Sequence, residues 1–275
     1  MDITLQQIDG LDAEEIKRYD RQMILPEVGS EGQLKLKKSK VLIIGAGGLG
    51  SPAAMYLAGA GVGTIGIMDA DVVSISNLQR QIVHNMEKEG RNKAESAKIC
   101  LQNFNDKIKV EAYPYALTAD NAEELISGYD FIIDAADNFE TKFLINDACV
   151  LLGKPFCHAG VLQLQGQVMT YVPGEHPCYR CIFEEIPESG SVPNCSQAGI
   201  IGAVAGIIGS IQALEAMKYL LGAGELLTGR IFVLDGLAMR TQIINFKSKN
   251  LDCKVCGSHR TITDIKENAG EYTGN

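Results

Sequence analysis

The alternation of apolar and polar positions predicts a regular succession of elements. Residues 41–44 are four consecutive apolar residues with no polar interruption, the pattern of a strand covered on both faces. A glycine-rich run at 45–50 separates them from 51–60, which is rich in small and helix-forming residues. A second apolar strand follows at 64–68. The alternation continues with a helix over 91–104, a strand at 108–113, a short helix at 122–126 and a strand at 129–134. A helix over 139–152 and a strand at 156–161 complete it. Upstream, 11–25 has helical spacing, with acidic residues early and basic ones later, as the helix dipole favours. Strand–helix alternation of this kind calls for an α/β fold with a doubly wound, Rossmann-like, mostly parallel sheet. Ligands of such sheets sit outside the strand carboxyl ends.

After residue 161 the pattern changes. Strands are expected at 167–172, 231–235 and 240–246, forming a mixed or antiparallel extension. Between them lie a polar, proline-bearing loop at 184–196 and an apolar helix over 200–221. That helix carries Gln212, Glu215 and Lys218 and so reads as a buried core helix rather than a membrane span. One domain over 1–260 is expected, with a nucleotide core at about 38–161 and a second portion at about 162–260. Residues 261–275 lack apolar periodicity and are expected to form a loose tail.

Composition narrows the class. At 275 residues, 46% hydrophobic and 21% charged, the chain can bury a substantial core. A net charge of -9 argues against nucleic acid as the main partner. The first ten residues have no basic or apolar leader pattern, so a cytoplasmic location is expected, without a membrane. Eight cysteines then point to metal or catalysis rather than disulfides.

Three features carry candidate chemistry. Gly45-Ala46-Gly47-Gly48-Leu49-Gly50 fits G-x-G-x-x-G, where glycine permits a tight turn and close phosphate approach, and the next helix offers free N–H groups. Asp69 and Asp71 follow about 20 positions on, suited to ribose hydroxyls. A nucleotide site results, with NAD, FAD and adenylates all open. Asp137 is a candidate for Mg²⁺, and Arg80 and Lys93 for phosphate. Lys93 falls in a helical first turn, where a cation opposes the dipole, so a partner outside the helix is expected. No G-x-x-x-x-G-K-[ST] occurs.

The pairs Cys178/Cys181 and Cys253/Cys256 are two C-x-x-C motifs, able to supply four thiolates to a structural zinc. Cys195 stands apart in a polar loop before the apolar helix, equally readable as an activated thiol or an incidental residue. Cys100, Cys149 and Cys157 fit core packing, and His84, His158, His176 and His259 share no spacing that suggests a common site.

Taken together, the segments Arg18-Tyr19-Asp20-Arg21-Gln22, GAGGLG, Asp69-Ala70-Asp71 and Ser76-Asn77-Leu78-Gln79-Arg80-Gln81 form a specific pattern. Lys93, Asp134-Ala135-Ala136-Asp137-Asn138, both C-x-x-C pairs and the run from Cys195 to Ala216 extend it. The chain resembles the ThiF/MoeB/HesA family, bacterial relatives of ubiquitin-activating enzymes. The resemblance implies ATP and Mg²⁺ as cofactors and adenylation of the C-terminal glycine of a small ubiquitin-like sulfur carrier ending in Gly-Gly. By position it implies that Gly45, Gly47 and Gly48 lie at the phosphates and that Asp69 and Asp71 lie at the ribose. It places Asn77, Arg80, Gln81 and Lys93 around the triphosphate and Asp137 on Mg²⁺. Arg21 resembles an arginine donated from a partner subunit, which implies a homodimer. Cys195 matches a cysteine that, in thiamin-type members, joins the activated carrier in an acyl persulfide. The sulfur is expected from a separate donor. Thiamin-type and molybdopterin-type carriers both fit, with Asn194-Cys195 and the short 184–191 loop leaning towards thiamin. A tRNA-modifying dehydratase of the same superfamily and, further off, an NAD-dependent oxidoreductase are the alternatives.

Overall fold

The computed structural model describes residues 8–174, 176–188, 191 and 198–272. Its helices and strands run α1 (Ala13–Met23), α2 (Gly29–Lys38), β1 (Lys40–Ile44), α3 (Gly50–Ala60), β2 (Thr64–Met68), α4 (Lys93–Phe104), β3 (Lys109–Tyr113), α5 (Ala122–Ser127) and β4 (Phe131–Asp134). They continue with α6 (Phe139–Leu151), β5 (Phe156–Leu162), β6 (Gln165–Tyr171), α7 (Tyr179–Ile182), α8 (Gly202–Leu221), β7 (Arg230–Asp235) and β8 (Arg240–Asn245). The strands form one sheet in the order β3-β2-β1-β4-β5-β6-β7-β8. Pairing is parallel from β3 to β5 and antiparallel from β5 to β8. The doubly wound half and its antiparallel extension are therefore continuous.

Strand pleating divides the core in two. Val41 and Ile43 face one side with Ile65, Ile67, Leu57 and Ile208. Leu42 and Ile44 face the other with Ile132, Phe143, Phe156 and Val255. α3, α4 and α8 cover the first face, and α5, α6 and the cysteine-bearing segments cover the second. α8 is apolar and long enough to cross a membrane. Here it packs on α3, β5 and β6, and its Glu215 is buried, accepting hydrogen bonds from Thr170 and Leu227.

Residues 261–272 depart from the expected loose tail. Ile262 and Ile265 are buried in the second core, and a 3₁₀ turn at Ala269–Tyr272 brings the Tyr272 hydroxyl within 2.9 Å of Asp147 Oδ2. Two isoleucines and one tyrosine are too few to set up a periodicity, yet enough to dock the segment against α6. Helix α2 also lacked a sequence signal. It contains two glycines, and at Gly32 the helix packs closely on the Leu221 side chain at the end of α8.

Candidate nucleotide and metal sites

The strand order reverses between β1 and β4, the switch point at which doubly wound sheets bind ligands. Two turns meet there. The glycine turn leaves β1 with Gly45 at φ +105°, and a Cβ on Gly45 would lie 2.5 Å from the Ala135 carbonyl oxygen. A Cβ on Gly50 would lie 1.8 Å from the Gly45 oxygen, so only glycine closes this turn. α3 begins directly after it with no side-chain cap; the Ser51 amide donates to the Gly47 carbonyl at 2.9 Å and Pro52 has no N–H, which leaves the Gly50 amide at the helix start for an anion.

The remaining candidates are brought to the same edge. Asp69 directly follows β2 and accepts from the Ala46 and Asp71 amides, each at 2.9 Å. Burial pushes its carboxyl above the usual range, against the opposing effect of Lys93. Lys93 is buried at the start of α4, and its outside partner is Asp71, Nζ to Oδ2 at 3.0 Å. Arg80 follows a 3₁₀ turn at Ile75–Asn77; its stem passes beside Gly48, and its Nη1 donates to the Ser76 carbonyl at 3.3 Å. The first turn of α8 holds it there, since a Cβ on Gly202 would touch the Gln79 oxygen and the Arg80 backbone. Gln81 is buried next to Gly47, and among the described residues neither its Oε1 nor Ser51 Oγ at the same turn has a hydrogen-bond partner. Asn77 is half-buried. Asp137 is exposed on the turn after β4, and among the described residues its carboxylate has neither hydrogen bond nor ion pair.

His84 was not singled out by spacing, yet it belongs to this edge. Its Nε2 meets the Ala46 carbonyl at 2.9 Å and its Nδ1 meets Ser96 Oγ on α4 at 2.9 Å. Burial holds its pKa below the ordinary value. A neutral ring that donates to Ala46 and accepts from Ser96 ties the glycine turn to the helix bearing Lys93.

Arg21 is not part of this cluster. α1 is anchored at the far end of α3: Gln22 Nε2 donates to the Ala60 carbonyl at 2.8 Å, and Tyr19 packs against Gly61. Eleven helical residues span about 16 Å. Arg21 therefore stands towards the opposite edge of the sheet, exposed and without a hydrogen bond or ion pair among the described residues. Cys195 lies outside the described residues.

The four paired cysteines converge. Their sulfur atoms all lie within 4.8 Å of one another, with Cys178–Cys181 at 3.9 Å, Cys178–Cys253 at 3.6 Å and Cys181–Cys256 at 3.3 Å. These separations exceed a disulfide bond and bracket the edge of about 3.8 Å expected for a tetrahedron with metal–sulfur bonds of about 2.3 Å. The donor set thus fits a four-thiolate metal site. Arg180, between the first two cysteines, is buried in an ion pair with Asp147 of α6, Nη2 to Oδ2 at 2.8 Å. Cys149 and Cys157 are buried in apolar surroundings, which raise their thiol pKa values well above the ordinary range; Cys100 is half-buried.

A model of the ThiF family matches residues 19–255. The chain is 45% identical over 258 residues to "Adenylyltransferase and sulfurtransferase MOCS3" of Aedes aegypti, covering 94% of this chain and 59% of that protein. The Mus musculus protein of the same name is 44% identical, with coverage of 94% and 56%. The chain thus spans less than two thirds of the length of these relatives. Among solved structures, E. coli MccB with ATP superposes with a TM-score of 0.77 at 24% identity, covering 90% of this chain and 75% of that one. PaaA superposes at 0.74 with 25% identity, covering 90% and 77%.

Proposed function

The chain belongs to the ThiF family, and we propose that it is an ATP-dependent adenylyltransferase acting on the C-terminal glycine carboxylate of a small ubiquitin-like sulfur carrier. The observation that carries this reading is the convergence of the glycine turn, Asp69, Arg80, Lys93 and the Asp137 turn at the β1/β4 switch point. An oxidoreductase would need the glycine turn and Asp69 but has no use for a row of cations and a free carboxylate beside them.

Adenylation joins two anions. A carrier carboxylate oxygen attacks the α-phosphorus of ATP, the bond to the β-phosphate oxygen breaks, and pyrophosphate departs. No protein base is required, because the carboxylate is already ionised near neutral pH. What the protein supplies is position and opposing charge as the transition state forms. The glycine turn and the uncapped start of α3 receive phosphate oxygens. Asp69 and Asp71 hold the ribose, while Arg80 and Lys93 offset phosphate charge, with Asn77 and Gln81 beside them. Asp137 is the carboxylate that would hold Mg²⁺, which when bound screens the triphosphate. Its exposure and lack of any protein partner fit that role.

Arg21 acts in this reading from a second copy of the chain. Its place on the far side of α3 removes it from its own site. Apolar side chains exposed on α1's end, α3 and α8, namely Ile24, Leu25, Tyr56, Ile207 and Leu214, support a homodimer. The four cysteines would hold a structural Zn²⁺, since a full set of thiolates leaves no open position for chemistry.

ATP–pyrophosphate exchange with purified Gly-Gly carriers of thiamin and molybdopterin type tests the proposal. Exchange with either is the expected result, and the preferred carrier assigns the pathway. ATP binding without exchange on either carrier would overturn the carrier assignment and leave another carboxylate substrate, such as a tRNA nucleoside. Absence of ATP binding would overturn adenylation itself.

A further inference from the structure

Behind the Asp137 turn lies a buried charge cluster that the proposed chemistry does not use. Asp134, the last residue of β4, is fully buried. Every polar atom of its carboxylate and its carbonyl is held by a different part of the fold. Oδ1 accepts from the Ala136 amide at 3.1 Å, inside the turn itself, and pairs with Lys142 Nζ of α6 at 3.4 Å. Oδ2 accepts from His158 Nδ1 of β5 at 2.7 Å. The carbonyl accepts from Gln212 Nε2 of α8 at 2.7 Å. Lys142 also donates to the Ala159 carbonyl at 2.7 Å, and Asn138 closes the turn by capping α6 through the Thr141 amide at 2.8 Å.

The charge state of the cluster follows from its geometry. An ionised carboxylate only accepts, so His158 carries its proton on Nδ1. Its Nε2 is buried with no hydrogen-bond partner among the described residues, which disfavours a second proton. Burial, with Lys142 close by, lowers the imidazole pKa and keeps the ring neutral. Burial pushes the Asp134 carboxyl up, but Lys142 and His158 outweigh it and hold the group ionised. One negative and one positive charge therefore balance in the interior. His158 in turn packs at a tilt of 41° against Tyr179, next to Cys178, with ring centroids 4.3 Å apart.

We infer that His158 and Lys142 are positioning residues: acting through Asp134, they fix the 135–138 turn so that Asp137 is aimed at the nucleotide edge. This inference rests on the proposed role of Asp137 in holding Mg²⁺. Groups that orient a metal ligand from behind are worth about 10–100-fold in metal affinity, and here the ligand's own turn is the part being oriented. The turn also lies against the glycine turn through the Ala135 carbonyl, so its placement sets where Asp137 stands relative to that turn.

Three variants of the full chain test it. His158→Phe keeps a ring against Tyr179 and loses the donor to Asp134. His158→Asn restores a donor at the position of Nδ1. Lys142→Met removes the cation. ATP binding is measured calorimetrically with and without Mg²⁺, and amide hydrogen exchange is followed across 135–138. His158→Phe is expected to raise the Mg²⁺ concentration needed for half-saturation about tenfold. Binding of metal-free ATP should stay unchanged, with faster exchange confined to the turn. Lys142→Met should do the same, and His158→Asn should recover to within about twofold of the parent protein. Unchanged Mg²⁺ dependence in His158→Phe would overturn the inference, as would equal loss of metal-free ATP binding. Failure of His158→Asn to recover would also overturn it. If the parent protein binds Mg²⁺ and ATP but activates no carrier, the functional proposal fails while these measurements still decide the role of the cluster.

Discussion

Strands β1 and β8 belong to the same sheet, yet four of five residues in β1 are buried while all six in β8 are exposed. Around β1 the sheet is covered on both faces, and apolar packing with parallel hydrogen bonding holds the backbone. At the antiparallel end the second face of β7 is covered by the cysteine segments and the C-terminal residues 251–272, and β8 is left exposed at the sheet edge. That region relies on discrete links: four converging thiols, the Arg180–Asp147 pair and the Tyr272 hydroxyl. The proposed nucleotide site lies at the edge of the region built by packing. The linked region can be loosened piece by piece.

Removing metal should separate the two regions most sharply. Binding to a structural thiolate site releases on the order of 10 kcal/mol. A strong chelator, or Cys253→Ser, is expected to speed hydrogen exchange after Tyr171, including 261–272, while amides of β1, β2 and β4 stay protected. Equal loosening of both regions would break the comparison. Next in size, Arg180→Met leaves Asp147 buried without its cation and should cost about 3–5 kcal/mol in denaturant unfolding. Asp147→Asn in the same chain should recover part of the loss. A change below about 1 kcal/mol would mean that the ion pair does not anchor the cysteine segment.

Asp137→Ala probes the packed region from the opposite side. Its carboxylate is exposed and unpartnered, so stability should move by no more than about 0.5 kcal/mol, whereas pyrophosphate exchange should fall about 10²-fold or more. A drop in melting temperature together with activity would reassign Asp137 to structure.

Acid should act on the packed region through its two buried histidines. Both have folded pKa values below the ordinary 6.5, so the unfolded chain binds protons that the folded chain refuses. Stability therefore falls as pH drops below about 6.5 towards the folded values. His158→Asn should flatten that slope between pH 7 and 5. An unaltered slope would show that His158 takes up its proton as readily in the folded protein as in the unfolded chain. The smallest effect is expected at Cys195: Cys195→Ala should keep pyrophosphate exchange, because a persulfide-forming thiol acts after adenylation. Lost exchange in a folded variant would place the thiol in the first step.

Much of this architecture can be read from local sequence. The uninterrupted apolar run at Val41 to Ile44, the glycines that follow it and the outside partner demanded by Lys93 each depend on residues within one turn or one pleat. The same locality explains what escaped. His84 lies in a polar stretch with no periodic neighbours, and its bonds to Ala46 and Ser96 exist only once α4 is laid beside the glycine turn. Asp134 was visible as part of a motif, but its partners Lys142, His158 and Gln212 come from three other elements.

By itself, the sequence determined the order of elements, the glycine turn and the residue types that are candidates for a nucleotide and a metal, because sterics and periodicity act between near neighbours. Tertiary structure decided which of those residues meet. It brought together cysteines 75 positions apart, folded Ile262, Ile265 and Tyr272 against α6, and left Arg21 on the far side of α3 from its own site. Those outcomes follow from which apolar faces cover which side of the sheet, and packing of that kind has no signature within any single stretch of chain.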